Sequence, residues 1–212
     1  MNIKTIYLFC DGCAGQNKNY TVFRYLHYCV HIARRFDTII IHFPVRGHSY
    51  LECDKDMGPV NQNARAEIPE DWREELQSAR KQPKSYKVIN MTQDKFYTFT
   101  KNLKPLYKAS NPIATRPVCE LYIDVEHPRY IQHRSTWNGA FEKAVVTKPN
   151  GKKKPSHIVA NNFQRSYTAP LPISVPKYGD LQVLKRFCSI KNQVYFDKLP
   201  QKDDESDNDL SE

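Results

Sequence analysis

The feature that most constrains the fold of this chain is a strand, a helix and a second strand at its start. Residues 3–10, IKTIYLFC, are rich in β-branched and aromatic side chains and stop at Asp11-Gly12, which predicts a strand. Between residues 18 and 36, apolar residues recur at spacings of three and four, which is typical of one helix face. Residues 37–43, DTIIIHF, are an unbroken apolar run of strand length. Together they predict a βαβ unit with two parallel strands and a right-handed crossover.

The rest of the chain completes an expected α/β fold, with a short parallel sheet flanked by helices and a small mixed α+β extension. Pro59 is tolerated only near the start of a helix, so the helix after the second strand should begin near Asp56. Further predicted elements are a helix at 68–80, a strand at 86–91, a short helix at 92–99, a strand at 119–125, two strand ends around a turn at 148–157 and a helix at 177–187.

The charge of the chain is unevenly distributed. The last twelve residues, QKDDESDNDLSE, carry six acids and one lysine, a net charge of −5. Since the whole chain carries +9, residues 1–200 carry +14. Such a basic chain favours a polyanion as partner, above all nucleic acid, although a merely solubilising surface is the alternative. We expect Lys152, Lys153 and Lys154, in the turn KPNGKKKPSH, to bind nucleic acid, and the tail at 201–212 to be disordered.

Neither a membrane span nor a secretion signal is predicted. The chain has no run of about 18 apolar residues, and its first residues lack a signal peptide's basic region and long apolar core. We therefore expect an intracellular protein without a membrane partner, in which the six cysteines are reduced. Cys10 and Cys13 have the spacing of a thiol pair or half a zinc site, with Cys53 and His48 as the nearest further ligands. Two ordinary buried cysteines are the favoured interpretation.

Asp11 is the first candidate functional residue. An aspartate at the carboxyl end of a parallel strand, before a helix, stands where open α/β sheets bind ligands, and it suits Mg²⁺ as a hard oxygen ligand. The end of the next strand adds His48, Glu52, Asp54 and Asp56. In the rival interpretation Asp11-Gly12 is a turn, the amides of Gln16 and Asn17 cap the helix, and residues 54–56 form a solvated loop.

Asp11 with AGQNKN is followed along the chain by HFPVRGHSYLECDKDMG, IPEDWREELQSARK and KYGDLQVLKRF. In this order, these segments resemble the DDE-type, RNase H-like domains of transposases and of host genes descended from them. The resemblance implies a partial RNase H-like fold, with residues 1–101 as its C-terminal half. Residues 102–200 would be the mixed α+β extension, followed by the tail at 201–212.

The resemblance also assigns roles to single residues. Asp11 matches the second acid of the DDE set, and His48 and Asp54 match the Gly-His-Ser and Asp-x-Asp elements, with Asp56 beside them. The closing glutamate of the pattern falls on Asn61, and an amide is a weaker Mg²⁺ ligand than a carboxylate. In this family three strands precede the one that ends at Asp11, and the first of them carries the first acid. An upstream segment, a partner such as a second copy, or the C-terminal segment of this chain would have to complete the sheet.

The function expected from this resemblance is a domesticated, catalytically degenerate domain that still binds nucleic acid, with DNA favoured over RNA. Gln16, Asn17 and His48 would contribute to binding, and a nuclear location is favoured. One alternative is an active nuclease or integrase, in which Asp11 and Asp54 hold Mg²⁺, with Asp56 as a further candidate ligand. The other alternative is a domain that binds only proteins.

Overall fold

The computed structural model describes residues 3–44, 51–82, 84–149 and 163–202. The chain divides into unit 1, Met1–Leu51 with Tyr97–Gln164, and unit 2, Glu52–Phe96 with Arg165–Glu212. Strands of the described residues are β1 Thr5–Phe9, β2 Thr38–His42, β3 Glu120–Asp124, β4 Tyr130–Arg134 and β5 Glu142–Val145. Helices there are α1 Tyr20–His31, α2 Glu52–Asn63, α3 Pro69–Ser78, α4 Phe99–Leu103, α5 Val175–Leu184 and α6 Ile190–Asp197. The α/β fold class is confirmed.

Unit 1 is built on a five-stranded mixed sheet in the order β1-β2-β3-β4-β5. β1 and β2 are parallel, in the register Thr5 to Thr38, which confirms the predicted parallel pair. The pairs β2-β3, β3-β4 and β4-β5 are antiparallel. The sheet therefore takes two strands from before residue 101 and three from after it. β3 confirms the strand predicted at 119–125, whereas β4 corresponds to no predicted element.

The helix α1 connects the two parallel strands. It starts at Asn19, whose Oδ1 accepts a hydrogen bond from the backbone N–H of Val22 at 3.0 Å, as helix-capping amides do. The prediction of a helix through Phe36 is too long. The chain leaves the helix after His31, because Arg34 adopts a left-handed φ of 50° and the N–H of Arg35 returns to the helix carbonyls.

One face of the sheet in unit 1 packs against α1. Buried aliphatic side chains alternate along β2, β3 and β4 on that face, because successive strand residues point to opposite sides of a sheet. Together with Phe23 of α1 they form the centre of the core: Ile39, Ile41, Leu121, Ile123 and Ile131. Three residues of the predicted apolar face of α1 are only partly buried: Val22, Tyr25 and Leu26. The most buried positions of the helix are those that face the sheet.

In unit 2, α2 starts earlier than the predicted residue Asp56. It begins at Glu52 and keeps Pro59 inside it, so the predicted start is wrong. A proline nitrogen has no hydrogen to donate, and its ring crowds the preceding residue; Gly58, which lacks a Cβ, reduces that crowding. The burial of Val60, which is 1% exposed, offsets part of the remaining cost. Tertiary packing therefore overrides the local signal of the proline.

The starts of α3 and α6 in unit 2 are joined by a cluster of hydrogen bonds. Oε2 of Glu67 accepts bonds from the backbone N–H of Ser189 at 2.9 Å and from Nδ2 of Asn192 at 2.8 Å. Nδ2 of Asn192 also donates to Asp71 at 2.9 Å. These bonds lower the pKa of Glu67, because they favour its charged form, with the bonds from Ser189 as the largest cause.

Residues 86–91, which were predicted to form a strand, form no regular element, and the short helix predicted at 92–99 is only a single turn at Gln93–Lys95. Tyr86 instead donates its hydroxyl to Asp56 Oδ1 at 2.9 Å, a side-chain contact that local propensity does not reveal. The helix predicted at 177–187 is confirmed as α5 followed by a short turn. None of the helices in the described part of the chain has the length and apolar character needed to cross a bilayer.

Candidate functional site

Asp11 lies just beyond β1, at the carboxyl edge of the parallel pair. The backbone N–H of Cys10 donates to the carbonyl of His42 at 3.0 Å, so the ladder between the strands continues to the residue before Asp11. The Asp11 side chain is exposed, and its Oδ1 accepts a hydrogen bond from Nδ2 of Asn17 at 2.8 Å. The position predicted for Asp11, at the end of a parallel strand, is therefore confirmed.

The amides after Asp11 build the loop that leads into α1. The carbonyl of Cys13 accepts three backbone N–H groups, from residues 16 to 18, at 2.9 to 3.2 Å. Nδ2 of Asn19 donates to the carbonyls of Ala14 at 3.1 Å and Gln16 at 3.2 Å, while its Oδ1 caps the helix. The rival interpretation assigned the cap to Gln16 and Asn17, and this assignment is wrong. The Gln16 side chain is exposed.

Lys18 ties this loop to the segment that precedes β3. Its Nζ donates to the carbonyl of Arg116 at 2.9 Å and lies 5.1 Å from the centroid of the Phe43 ring. Partial burial lowers the pKa of Lys18. An ammonium group has three hydrogens, so Lys18 keeps two donors beyond the bond to Arg116.

A cleft of about 680 Å³ opens beside Asp11. Gly12, Cys13 and Ala14 form part of its lining with Asp11; the remaining described residues of the lining are Lys18, Thr115 and Arg116. Within this described lining there are two cations and one carboxylate. Lys and Arg donors favour phosphate oxygens, and arginine in particular matches their geometry.

Asp54, Asp56 and Asn61 all belong to α2 in unit 2. Asp56 is already engaged, because its Oδ1 accepts bonds from Nη1 of Arg80 at 3.0 Å and from the hydroxyl of Tyr86. Asp54 and Asn61 are exposed and seven residues apart, which places them on one side of the helix about 10 Å apart along its axis. The earlier start of α2 is what brings both residues into one helix.

Four of the predicted site residues, His48 and Lys152–Lys154, lie outside the described residues. Among the residues that are described, no group of three or more His, Cys, Asp and Glu side chains is arranged to hold a metal ion. Cys10 and Cys13 are not joined in a disulfide. Cys13 is exposed, contrary to the favoured interpretation of two buried cysteines, because it lies in the turn beyond β1 rather than in the strand.

The comparison with protein families assigns the chain to one of them. Residues 3–137, more than half of the chain, match the model of a family described as Domain of unknown function (DUF7869). The chain belongs to the DUF7869 family. The match of this DUF7869 chain covers β1, α1, β2 and the described lining of the cleft at Asp11. No curated protein and no solved structure matches the sequence.

Several residues around the parallel pair were not found by sequence reasoning. Arg116 reaches the cleft of this DUF7869 chain from far along the sequence, and nothing in its neighbourhood marks it. Tyr7 and Phe9 lie in the apolar run predicted as the first strand, and they are 60% and 61% exposed. The only available signal was their spacing of two residues, which places both rings on one side of a strand.

Proposed function

We propose that this DUF7869 chain is a transposase-derived, RNase H-like domain of the DDE type that binds nucleic acid and no longer cuts it by itself. The observation that carries the proposal is the placement of Asp11 at the carboxyl edge of two parallel strands, beside a cleft lined by Lys18 and Arg116. Open α/β sheets bind ligands at that edge, and the two cations suit a phosphate backbone.

The distribution of charge supports the same proposal. The segments that form unit 1 contain seventeen Lys and Arg residues against six Asp and Glu. The segments of unit 2 contain fifteen against seventeen. The positive charge of the chain therefore belongs to the unit that contains the cleft, and a polyanion is attracted to unit 1. A nuclear location would follow from such a partner.

The open side of β1 also supports an RNase H-like origin. β1 pairs with β2 on one side, and no strand of the described residues lies on its other side. The resemblance to DDE domains requires that a further strand, carrying the first acid, joins the sheet. We propose that an upstream segment or a second copy of the chain supplies it at β1.

The proposal that the site is catalytically degenerate rests on the number of its carboxylates. In the described lining of the cleft, Asp11 is the one carboxylate, and Asn17 already binds it. A two-metal site needs several carboxylates around the ions. In the alternative of an active nuclease, a completing partner would add the missing acids around Asp11.

The proposal is tested by fluorescence anisotropy of labelled DNA and RNA titrated with the purified chain at several salt concentrations. We expect binding that tolerates any sequence and weakens steeply with salt. Arg116→Ala should reduce the magnitude of the logarithmic salt slope on duplex DNA by about one. Arg73→Ala, which removes an exposed arginine from α3 of unit 2, is the matched control and should leave the slope unchanged. Absence of binding to DNA and RNA at low salt would show that the proposal is wrong.

A further inference from the structure

The face of the unit 1 sheet that points away from α1 carries several aromatic rings. We call the aromatic face the set Tyr7, Phe9, His42, Tyr122, Trp137 and Phe141. Tyr7 and Phe9 alternate along β1 with Ile6 and Leu8, which pack against the core, so the two rings lie on the opposite side. In the register of the sheet, Phe9 lies opposite His42.

Three rings of this face, those of Tyr7, Phe9 and Trp137, are arranged around His42. Phe9 and His42 have ring centroids 4.8 Å apart and planes 27° apart, and His42 and Trp137 have centroids 5.7 Å apart and planes 30° apart. The ring centroids of Tyr7 and His42 are 6.5 Å apart, and the planes of the two rings differ by only 7°. Trp137 and Phe141 are 41% and 39% exposed. The face therefore presents several nearly parallel rings to solvent.

Polar and charged side chains lie between these rings. His42 is opposite Glu120, and Glu120 is opposite Arg134, which donates from Nε to Oε2 of Glu120 at 2.8 Å. The Arg134 guanidinium also lies 4.8 Å from the centroid of Phe141. Beside them on the same face, Tyr122 of β3 is opposite Gln132 of β4, and Gln132 is opposite Lys143 of β5. Rings mixed with cations, in a unit with a large excess of positive charge, complement a ligand that has both flat apolar groups and negative charge.

We propose that the aromatic face binds single-stranded nucleic acid by stacking bases on Tyr7, Phe9 and Trp137. This inference rests on the proposed nucleic-acid binding and names the form of nucleic acid that is bound. Aromatic side chains on an open sheet stack the bases of single strands whatever their sequence, because every base has a flat π-face. A duplex keeps its bases stacked on one another and offers these rings nothing. The phosphates of the single strand meet the positive charge of unit 1, including Lys143.

The test measures binding of a labelled oligothymidylate, the matching RNA strand and a duplex of the same length, each over the same series of salt concentrations. We expect both single strands to bind more tightly than the duplex. Tyr7→Ala and Phe9→Ala should each weaken single-strand binding about tenfold, since one stacking ring is removed each time. The salt slope should stay unchanged because no charge is lost. Phe187→Ala, which removes a 72% exposed ring from unit 2, is the matched control and should bind as the unmodified chain does.

A second pair of variants separates stacking from a loss of fold. Tyr7→Leu and Phe9→Leu keep apolar area on β1 but remove the rings. Both variants should unfold near the temperature of the unmodified chain, yet their binding of single strands should be weakened.

A third variant, Trp72→Phe, leaves Trp137 as the remaining tryptophan. Binding of a single strand should quench the fluorescence of Trp137. An unquenched Trp137 in the presence of bound single strand would overturn the inference.

The remaining outcomes distinguish this inference from the function it rests on. If the unmodified chain binds single strands and the ring variants bind equally well, stacking on this face is wrong while nucleic-acid binding stands. The same conclusion follows if the duplex binds more tightly than the single strands. If neither DNA nor RNA binds the unmodified chain, the proposed function itself is wrong. A dimer that the ring variants convert to a monomer would assign the face to a second copy of the chain instead.

Discussion

Asn17 donates a hydrogen bond from its side-chain amide to Oδ1 of Asp11, across 2.8 Å, at the carboxyl edge of the parallel strands. The candidate acid is thus held by a residue of its own loop, and Asn19 forms that loop and caps α1. The two asparagines therefore have different roles. Asn17 contacts the candidate site, and Asn19 maintains the local structure that positions it.

The first prediction separates these two tasks. Asn19→Ala should lower the free energy of unfolding by about 1 kcal/mol, because it removes a helix cap. Asn17→Ala should cost less, since its bond to Asp11 lies at an exposed position where water replaces the lost partner. Urea unfolding followed by circular dichroism measures both values. An equal or larger cost for Asn17→Ala would contradict the assignment of the cap.

The second prediction concerns catalysis. The purified chain should not nick a supercoiled plasmid with Mg²⁺ or Mn²⁺, and Asn61→Glu should not restore nicking. Residue 61 lies about 10 Å along α2 from Asp54, whereas two oxygens bound to one Mg²⁺ ion are within about 4 Å of each other. Metal-dependent nicking that Asp11→Ala abolishes would establish the nuclease alternative.

An outcome confined to the Asn61→Glu variant would have a separate meaning. Nicking by that variant alone, lost again in a double variant with Asp11→Ala, would show that further residues, from this chain or from a second copy, complete the sheet. A matched control is Gln62→Glu, which adds the same charge to the neighbouring position of α2 on another side of the helix.

The third prediction follows from a buried histidine in unit 1. Nδ1 of His27 lies 3.0 Å from the hydroxyl of Tyr107, and His27 is 1% exposed. Burial, assisted by the neighbouring His31, lowers the pKa of His27 from 6.5 to about 3. The unfolded chain therefore binds a proton below about pH 6.5 that the folded chain takes up only near pH 3. Stability is fully present above pH 6.5 and is lost as the pH falls towards 3, by up to about 1.4 kcal/mol per pH unit.

This pH dependence is measured by urea unfolding between neutral and acidic pH. His27→Gln keeps a hydrogen-bonding side chain near Tyr107 but cannot titrate, so the loss of stability with acid should become shallower. A residual slope is expected, because burial also lowers the pKa of His31 and His133. An unchanged slope in the variant would show that His27 does not control the acid sensitivity of the fold.

The fourth prediction tests the lysine-rich turn. Replacing Lys152, Lys153 and Lys154 with alanine should reduce the magnitude of the logarithmic salt slope of duplex DNA binding by about 2 to 3, since each phosphate contact contributes about 0.9. Lys81, Lys84 and Lys87 in unit 2 provide a triple variant of equal charge. If both triple variants show the same slope as the unmodified chain, the turn is a solvated surface.

Local sequence was sufficient for the unit β1-α1-β2. Its apolar runs and helical spacing depend on residues close together in the chain, and parallel pairing follows from the length of the crossover. Local pattern was insufficient at Pro59, which predicted a helix start near Asp56. The helix α2 keeps the proline inside it because Val60 is buried, and no local pattern of residues records that burial. Local pattern was also insufficient at residues 86–91, where Tyr86 bonds to Asp56 instead of joining a sheet.

The sequence by itself determined that Asp11 follows a parallel strand and is succeeded by amides, because these relations span only neighbouring residues. Tertiary structure alone decided that β3 joins β2, that Lys18 donates to the carbonyl of Arg116 across 98 positions of sequence, and that Tyr7 and Phe9 face solvent. An apolar strand has the same local pattern whether one or both of its faces are covered. Which face is covered depends on the free energy of burying distant segments against it, and that term is absent from any short window of residues.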